Sequence, residues 1–564
     1  MRIRSLLVAA LVLVSLAGCT AVPTSGPVVE VPVTAQAPAI DVAPEPPQDG
    51  ITPSRLVEGF LQAMADPDGD YSVARQYLTE EDAEYWRPVE ALVYDGAVIG
   101  SGDSAYIDGT QVGLLDSDGR YSTDFAPLRH DFGVVQEKGQ WRIGRPPNGL
   151  LLSRYLFERY YTEVSVYYMS DSGSHVVPDP VHLPEQQVTP TGVVEALLRG
   201  PSDSIARGVI SALPATVRLG GNEASIDAEG VVTVDLTGLS PSLSDEARRR
   251  LGAQLIWSLT SIPRVTGLKV TRNGFGFTLP DSNAEGVLEL ATQQGYQVLS
   301  RAAPNAELFA ISDGVPGAVS DRFEPWPSME GSYADLAVSL DAGTIALIGP
   351  DRDSLLIGPR SNALAPVETG LANLRRPQFV LGALWVLGDD ARGRPVLLTV
   401  QRSGEIETVA FDEQTDSRIE SYAVSPTGVR AALILVSDEG RRLGIGTIVA
   451  ATPTRIVGWR ELQLVGEQNR LLSEPQAVAF SDETLLGLIA NGTGQASVFT
   501  VGVDGTRIQD LVPVSGTPVD ITALARQGGG AIAIRTESGA AWRHDQRTRW
   551  NRLAENITSL NYGG

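Results

Sequence analysis

The chain of 564 residues carries 44 basic and 68 acidic side chains, a formal net charge of −24 with histidine neutral. Such a surface repels nucleic acid and anionic headgroups, so no nucleic-acid partner is expected and acidity alone names no other. One cysteine, Cys19, is present, which excludes disulfides from the chain beyond it and leaves folding to ordinary hydrophobic cores.

The first segment reads as an export signal over residues 1–18. Arg2 and Arg4 precede a continuous apolar run from Leu6 to Val14, and small residues follow. That run is too short for a helix across roughly 30 Å of hydrocarbon, and no later segment is long and apolar enough either. Leu16-Ala17-Gly18-Cys19 resembles the lipobox of bacterial lipoproteins. The resemblance implies cleavage between Gly18 and Cys19, a diacylglyceryl thioether on Cys19, and anchoring at the outer face of the cell membrane. Residues 19–50 then form a lipidated cysteine and a tether. Pro23, Pro27, Pro32, Pro38, Pro44, Pro46 and Pro47 with no aromatic residue cannot bury enough surface to fold, and extend at up to about 3 Å per residue.

A first domain is expected over residues 51–155. Thr52-Pro53 reads as a helix start, and Leu56, Val57, Phe60, Leu61 and Met64 line one helical face. Strands follow, separated by Asp95-Gly96, Asp108-Gly109, Asp118-Gly119 and Lys138-Gly139 read as turns. Phe132, Val134 and Trp141-Arg142-Ile143 supply the last strands. This α+β order resembles the nuclear-transport-factor-like fold.

A second domain is expected over residues 160–278, as β-α-β-α-β. Val164, Val166 and Tyr168 alternate as a strand. Thr189-Pro190 starts a helix facing Val193, Val194, Leu197 and Leu198, which Gly200-Pro201 ends. Strand 231–236 follows. Ser244 then caps a helix with Asp245 and Glu246 against its dipole, and Ala247, Leu251, Leu255 and Leu259 form its inward stripe. Strand 267–270 closes the unit. Leu197-Leu198-Arg199-Gly200-Pro201, Leu213-Pro214, Val234-Asp235-Leu236, Ala253-Gln254-Leu255 and Val265-Thr266-Gly267-Leu268 resemble the GerMN domain. That family implies an α/β sandwich serving as an extracytoplasmic interaction module, without catalytic residues.

Residues 300–564 carry a degenerate repeat. Ala337-Val338-Ser339, Ala383-Leu384-Trp385, Ala423-Val424-Ser425, Ala477-Val478-Ala479 and Ala523-Leu524-Ala525 each begin an apolar strand. Turn signals follow at Asp341-Ala342-Gly343, Pro426-Thr427-Gly428 and Ser481-Asp482. A strand-and-turn period of about 45 residues is the signature of propeller blades. Leu308-Phe309-Ala310-Ile311 and the tail 557–562 are placed to complete one more blade by circular closure. Lipobox, helix-plus-sheet domain, GerMN motifs and propeller, in that order, resemble the LpqB family of actinobacterial lipoproteins. The resemblance implies a partner: the extracytoplasmic domain of a sensor histidine kinase of the MtrB type, within an MtrA–MtrB two-component system.

No motif for chemistry emerges, so no catalytic residue, metal or cofactor is expected. His130, His175, His182 and His544 are scattered, without His-Glu-x-x-His spacing. Ser174-His175 reads as a turn, since adjacent loop residues seldom face each other and no Gly-x-Ser-x-Gly elbow exists. Asp66-Pro67-Asp68-Gly69-Asp70 and Asp116-Ser117-Asp118-Gly119 read as acidic turns, because glycine stands fourth and Tyr77 and Pro127 stand where a calcium loop needs glutamate. Gly100–Ser104 lacks the lysine of a phosphate loop. Asp235 reads as a cap or turn former, and Trp326 and Trp542 as blade-closing aromatics. The competing function is a propeller that binds or hydrolyses cell-wall glycan or peptide. Polar and aromatic residues converging at the propeller mouth would distinguish it.

Overall fold

The computed structural model describes residues 44–299, 307–327, 329, 331–360, 363–412, 417–466, 470–492, 494–545 and 549–563. Gly18, Cys19 and most of the tether lie outside them. Among the described residues no helix is long and apolar enough to cross a membrane. Glu45–Gly564 is one compact unit.

In the first domain, Thr52 stands extended before the helix Pro53–Ala63, which buries Leu56, Val57, Phe60 and Leu61. Phe60 meets Phe132 edge-on with centroids 6.3 Å apart and lies 5.5 Å from Trp86. The sheet against it is a meander of Ala91–Ser101, Ser104–Leu115 and Tyr121–Asp131, with Leu150–Ser153 parallel to the first strand. Two expected turns are mid-strand instead: Gly96 faces Gly109 across the ladder. A Cβ on Gly109 would lie 2.3 Å from the Asp95 carbonyl oxygen, so these glycines let two backbones close together. The chain turns at Gly102-Asp103, where Gly102 has φ +61°. Gly119 and Gly139 do turn, with φ near +80°.

The second domain folds around the helix Asp245–Leu259. Ser244 Oγ accepts the Ala247 N–H at 3.2 Å, as Thr189 Oγ1 accepts that of Gly192 at 3.1 Å before the helix Pro190–Leu198. Val231–Thr237 and Gly267–Arg272 run parallel, joined through the long helix. The stripe read from sequence is too narrow: every residue from Leu251 to Leu259 is buried, whereas Ala247 is only half-buried. The helix contacts Tyr161–Ser170 on one side and Gly267–Arg272 on the other. Its polar residues are satisfied inside. Gln254 Oε1 accepts the Ala212 N–H at 2.6 Å, and Ser258 Oγ accepts that of Tyr167 at 2.8 Å.

One strand has no counterpart in the sequence reading. Val176–Pro184 pairs antiparallel with Tyr161–Ser170 although Pro178 and Pro180 interrupt it. It lies at the sheet edge, the place where proline costs no ladder bond.

Among the described residues the third domain is a ring of six sheets, antiparallel throughout except where Ala410–Phe411 pairs parallel with Arg455–Glu461. Their innermost strands are Asp335–Val338, Ala372–Val380, Arg418–Val424, Ser473–Phe480, Pro518–Ala523 and Ile557–Tyr562; each contacts the next, and the last contacts the first. These define blades one to six. Circular closure is as expected, with Leu308–Ser312 antiparallel to Ile557–Tyr562 and Leu308 opposite Tyr562. Ala337, Ala423, Ala477 and Ala523 lie in innermost strands, but Ala383 opens the second strand of blade two. That displacement is one reason the repeat spacing is uneven.

Candidate functional site at the three-domain junction

The turns after the innermost strands of blades three and four are not solvent-facing. Here Ser425, Thr427, Ser481, Glu483 and Thr484 are all buried. The proline-bearing strand Val176–Pro184 and its preceding turn cover the blade-three turn: His175 Nε2 lies 3.1 Å from the Thr427 carbonyl oxygen, and Val429 belongs to the second domain's core. In the blade-four turn the Ser481 carbonyl instead accepts the N–H groups of Arg526 and Gly530 of blade five at 3.0 and 2.9 Å.

Beneath this contact runs a buried ionic chain through all three domains. Arg430, 1% exposed in its side chain, donates through Nη2 to the Pro178 carbonyl at 2.6 Å and through Nη1 to Glu483 at 3.2 Å. Glu483 also accepts the Thr427 hydroxyl at 2.6 Å and its N–H at 3.0 Å. Burial pushes the Glu483 carboxyl up, and Arg430 and Thr427 oppose that. On the other side Arg430 lies 3.9 Å from Asp179. Asp179 accepts from Ser202 N–H and Oγ at 2.7 and 2.8 Å and from Arg120 Nη1 at 2.5 Å. Arg120 reaches it from the Asp116–Arg120 turn of the first domain and also donates to the Gly200 carbonyl. Separating such a buried pair leaves an uncompensated charge, so moving one domain away from the others is costly.

The first domain also grips the propeller directly. Phe125 N–H donates to Gln463 Oε1 at 2.8 Å, Gln463 N–H returns to Thr123 Oγ1 at 3.1 Å, and Arg154 Nη1 donates to the Val465 carbonyl at 3.0 Å. Val465 is buried in the first domain's core.

Between these contacts lies a cavity of about 1060 Å³, bounded by Tyr121 and Phe157, by Glu163 and His182, and by Phe499 and Arg507, among others. Glu163 and His182 are register partners on the hairpin 161–184, so both side chains leave the same face. His182 Nε2 lies 2.8 Å from Asp504 Oδ2. Burial, with the charge of Asp504 nearby, pushes the Glu163 carboxyl up to about 7. Burial also opposes ionisation of Asp504, but His182 and the Thr506 hydroxyl and N–H outweigh it and hold its carboxyl at about 2. Two neighbouring carboxyls are thus pushed apart by their surroundings.

Of the four histidines, His182 and His175 reach this junction, and with them the turn 116–119, whose Gly119 carbonyl accepts the His182 N–H at 2.6 Å. His130 packs on Phe132 at 4.7 Å and His544 on Trp550 at 5.1 Å. Ser174 Oγ does lie 3.0 Å from His175 Nδ1, against expectation, within an exposed turn. Asp116 Oδ1 caps its own turn, accepting the N–H groups of Asp118 and Arg120 at 2.9 Å each. Asp66 Oδ1 similarly accepts the Asp68 N–H at 3.0 Å. Asp235 accepts from Thr271 Oγ1 at 2.6 Å and Gly274 N–H at 2.8 Å, which hold its carboxyl low, as suits a turn former.

Trp326 follows the outermost strand of blade six and Trp542 sits on the third strand of blade five, so neither reaches the central channel. The innermost strands carry a polar belt instead. Asp335 accepts the Ser559 hydroxyl at 2.6 Å and the Arg376 N–H at 3.1 Å, Arg376 Nη1 lies 3.4 Å from Asp520, and Tyr422 donates to the Arg376 carbonyl at 2.6 Å. Asp335, Ser559 and Tyr422 are engaged by neighbouring blades, whereas Arg376 of blade two meets Asp520 of blade five on the opposite side of the ring, so the belt ties blades together.

The residues missed were Asp179, Arg430, Glu483, Glu163, Asp504, Arg507 and Arg120. Most lie in turns or edge strands, and the contacts that join them into one junction, Arg430 to Pro178, Arg120 to Asp179, His182 to Asp504 and Arg507 to Glu163, run between separate domains. No local spacing announces such a contact.

Three family models match the chain: "Lipoprotein LpqB, N-terminal domain" over residues 46–158, "Sporulation and spore germination" over 165–275, and "Lipoprotein LpqB beta-propeller domain" over 316–559. A Cutibacterium acnes protein named lipoprotein LpqB is 31% identical over 598 aligned residues, covering 99% of this chain and 98% of its own. The lipoprotein LpqB of Streptomyces coelicolor is 27% identical, covering 94% of each chain. That of Thermobifida fusca is 29% identical, covering 98% of each.

Proposed function

Since the chain belongs to the LpqB lipoprotein family, we propose that it is a lipid-anchored extracytoplasmic protein that binds and modulates a sensor kinase. The partner is the extracytoplasmic domain of an MtrB-type kinase in an MtrA–MtrB system, acting in envelope and division homeostasis. The protein performs no chemistry of its own in this reading. The observation that carries it is kinship along the whole length, with relatives named as lipoproteins.

Two features support the reading physically. Leu16-Ala17-Gly18-Cys19 places a lipid on Cys19, and the Pro-rich stretch after it spaces the folded body from the membrane. Partners confined to one membrane meet at high effective concentration, so modest affinity suffices. The buried ionic chain also suits an interaction protein, because a body whose three domains are locked presents one composite surface.

Cys19→Ser tests the anchor. The expected result is a precursor that escapes normal cleavage and lacks acyl chains in its intact mass, with weaker kinase signalling although the domains persist. Wild-type mature protein free of acyl chains would contradict the anchor.

A further inference from the structure

We propose that Glu163, His182 and Asp504 form a site for one divalent ion of the zinc(II) or manganese(II) class, at the seam between GerMN domain and propeller. The three side chains bring ligand atoms within 4.8 Å of one another. Two of them are fixed by backbone register, Glu163 opposite His182 on one hairpin. The His182 ring packs against Tyr121, at 6.0 Å, and Phe157, at 5.1 Å, two rings that stack on each other at 5.3 Å.

Asp504 is oriented as a ligand is. Its Oδ1 accepts the Thr506 N–H at 2.9 Å and hydroxyl at 2.7 Å, which leaves Oδ2 directed at His182. Outer partners of this kind fix the direction of a ligating carboxylate. Glu163 Oε2 is buried without a hydrogen bond, although Arg507 Nε stands 2.9 Å away. Arg507 is held by its other arm, donating through Nη2 to the Thr484 carbonyl at 2.7 Å.

Charge favours a cation here. Glu163, Asp504 and the nearby Asp482 bring three carboxyls together, Asp504 and Asp482 buried and Glu163 half-buried, with Arg507 beside Glu163 and Arg430 also acting on Asp482. The junction cavity opens onto Glu163 and His182 and supplies an entry path and room for water ligands. One imidazole with two carboxylates suits zinc or manganese better than calcium or magnesium, which take oxygen alone. Metal bonds of about 2.0–2.2 Å place donor atoms about 3.0–3.5 Å apart. Binding therefore needs the His182–Asp504 contact to open slightly and the Glu163 carboxylate to swing inward from Arg507.

The test uses the full chain, without an affinity tag, purified in detergent and treated with chelator. Zinc(II), manganese(II), calcium(II) and magnesium(II) chlorides are titrated separately by calorimetry, and manganese is also followed by loss of its free-ion EPR signal. Zinc or manganese is expected to bind at one equivalent. Glu163→Gln, which keeps the side chain's size, should weaken binding by about tenfold or more, as should His182→Ala. Arg507→Gln should tighten it by freeing Glu163. Circular dichroism identifies any variant that fails to fold, and the Glu163→Gln and Arg507→Gln pair then decides. Binding that these two variants leave unchanged, preference for calcium or magnesium, or no saturable binding to wild type would each overturn the proposal.

Discussion

Arg430→Ala is expected to lower the stability of the folded body by about 3–5 kcal/mol, because it removes one partner of a fully buried charge pair. The alanine leaves the Glu483 carboxyl, 2% exposed, with hydroxyl and N–H donors of Thr427 and Ser425 but no cation, and strips the Pro178 carbonyl of its donor. Asp179 keeps Ser202 and Arg120, so the damage concentrates on the propeller side of the seam. The measurement is chemical denaturation followed by tryptophan fluorescence, with limited proteolysis beside it. The midpoint should fall, and protease should gain the turns at Ser425–Val429 and Ser481–Thr484. Arg430→Met combined with Glu483→Gln should recover much of the loss, since it removes both charges together. An Arg430→Ala midpoint equal to wild type would show that the ionic chain does not hold the domains.

Leu255→Asp is expected to unfold the second domain. Leu255 is fully buried within Leu251–Leu259, the part of the helix in which every residue is buried. The substitution loses the leucine's packing, about 2–5 kcal/mol by analogy with large-to-small changes, and adds a buried carboxylate without a partner. The sum exceeds what a marginally stable domain retains. Hydrogen exchange should show the amides of Asp245–Leu259 and of the neighbouring strands Tyr161–Ser170 and Gly267–Arg272 losing protection. The blade strands far from the seam should keep theirs. Unchanged protection across the helix would mean that its packing is misread.

Strong periodicity made much of the fold legible. Both helices of the second domain have the expected caps, and the ring closes through the two strands named for it. What misled was local chemistry with two meanings. Asp-Gly marks a turn at Asp118-Gly119 but a close strand crossing at Gly109, and only the partner strand decides which. Pro178-Asp179-Pro180 looks like a loop, yet an edge strand tolerates both prolines and uses Asp179 to hold the seam.

The site itself was barely legible. Thr427 and Ser481-Asp482 read correctly as turn signals, but Thr427 is covered by a domain more than two hundred residues earlier in the chain and Ser481-Asp482 by the turn 526–530 of the next blade. Arg430 and Glu483 resemble solvent-facing charges in sequence and become buried only because the hairpin 161–184 covers them. Contacts between domains leave no period behind, so pattern reading stops at the domain edge.

The most direct test of the proposed role is the affinity between the lipid-anchored full chain and an MtrB-type sensor kinase, both reconstituted in one membrane. An unrelated acidic lipoprotein serves as the reference. The account predicts saturable binding that requires the kinase's extracytoplasmic domain and changes its autophosphorylation. Binding no stronger than the reference, with kinase output unmoved, would contradict it.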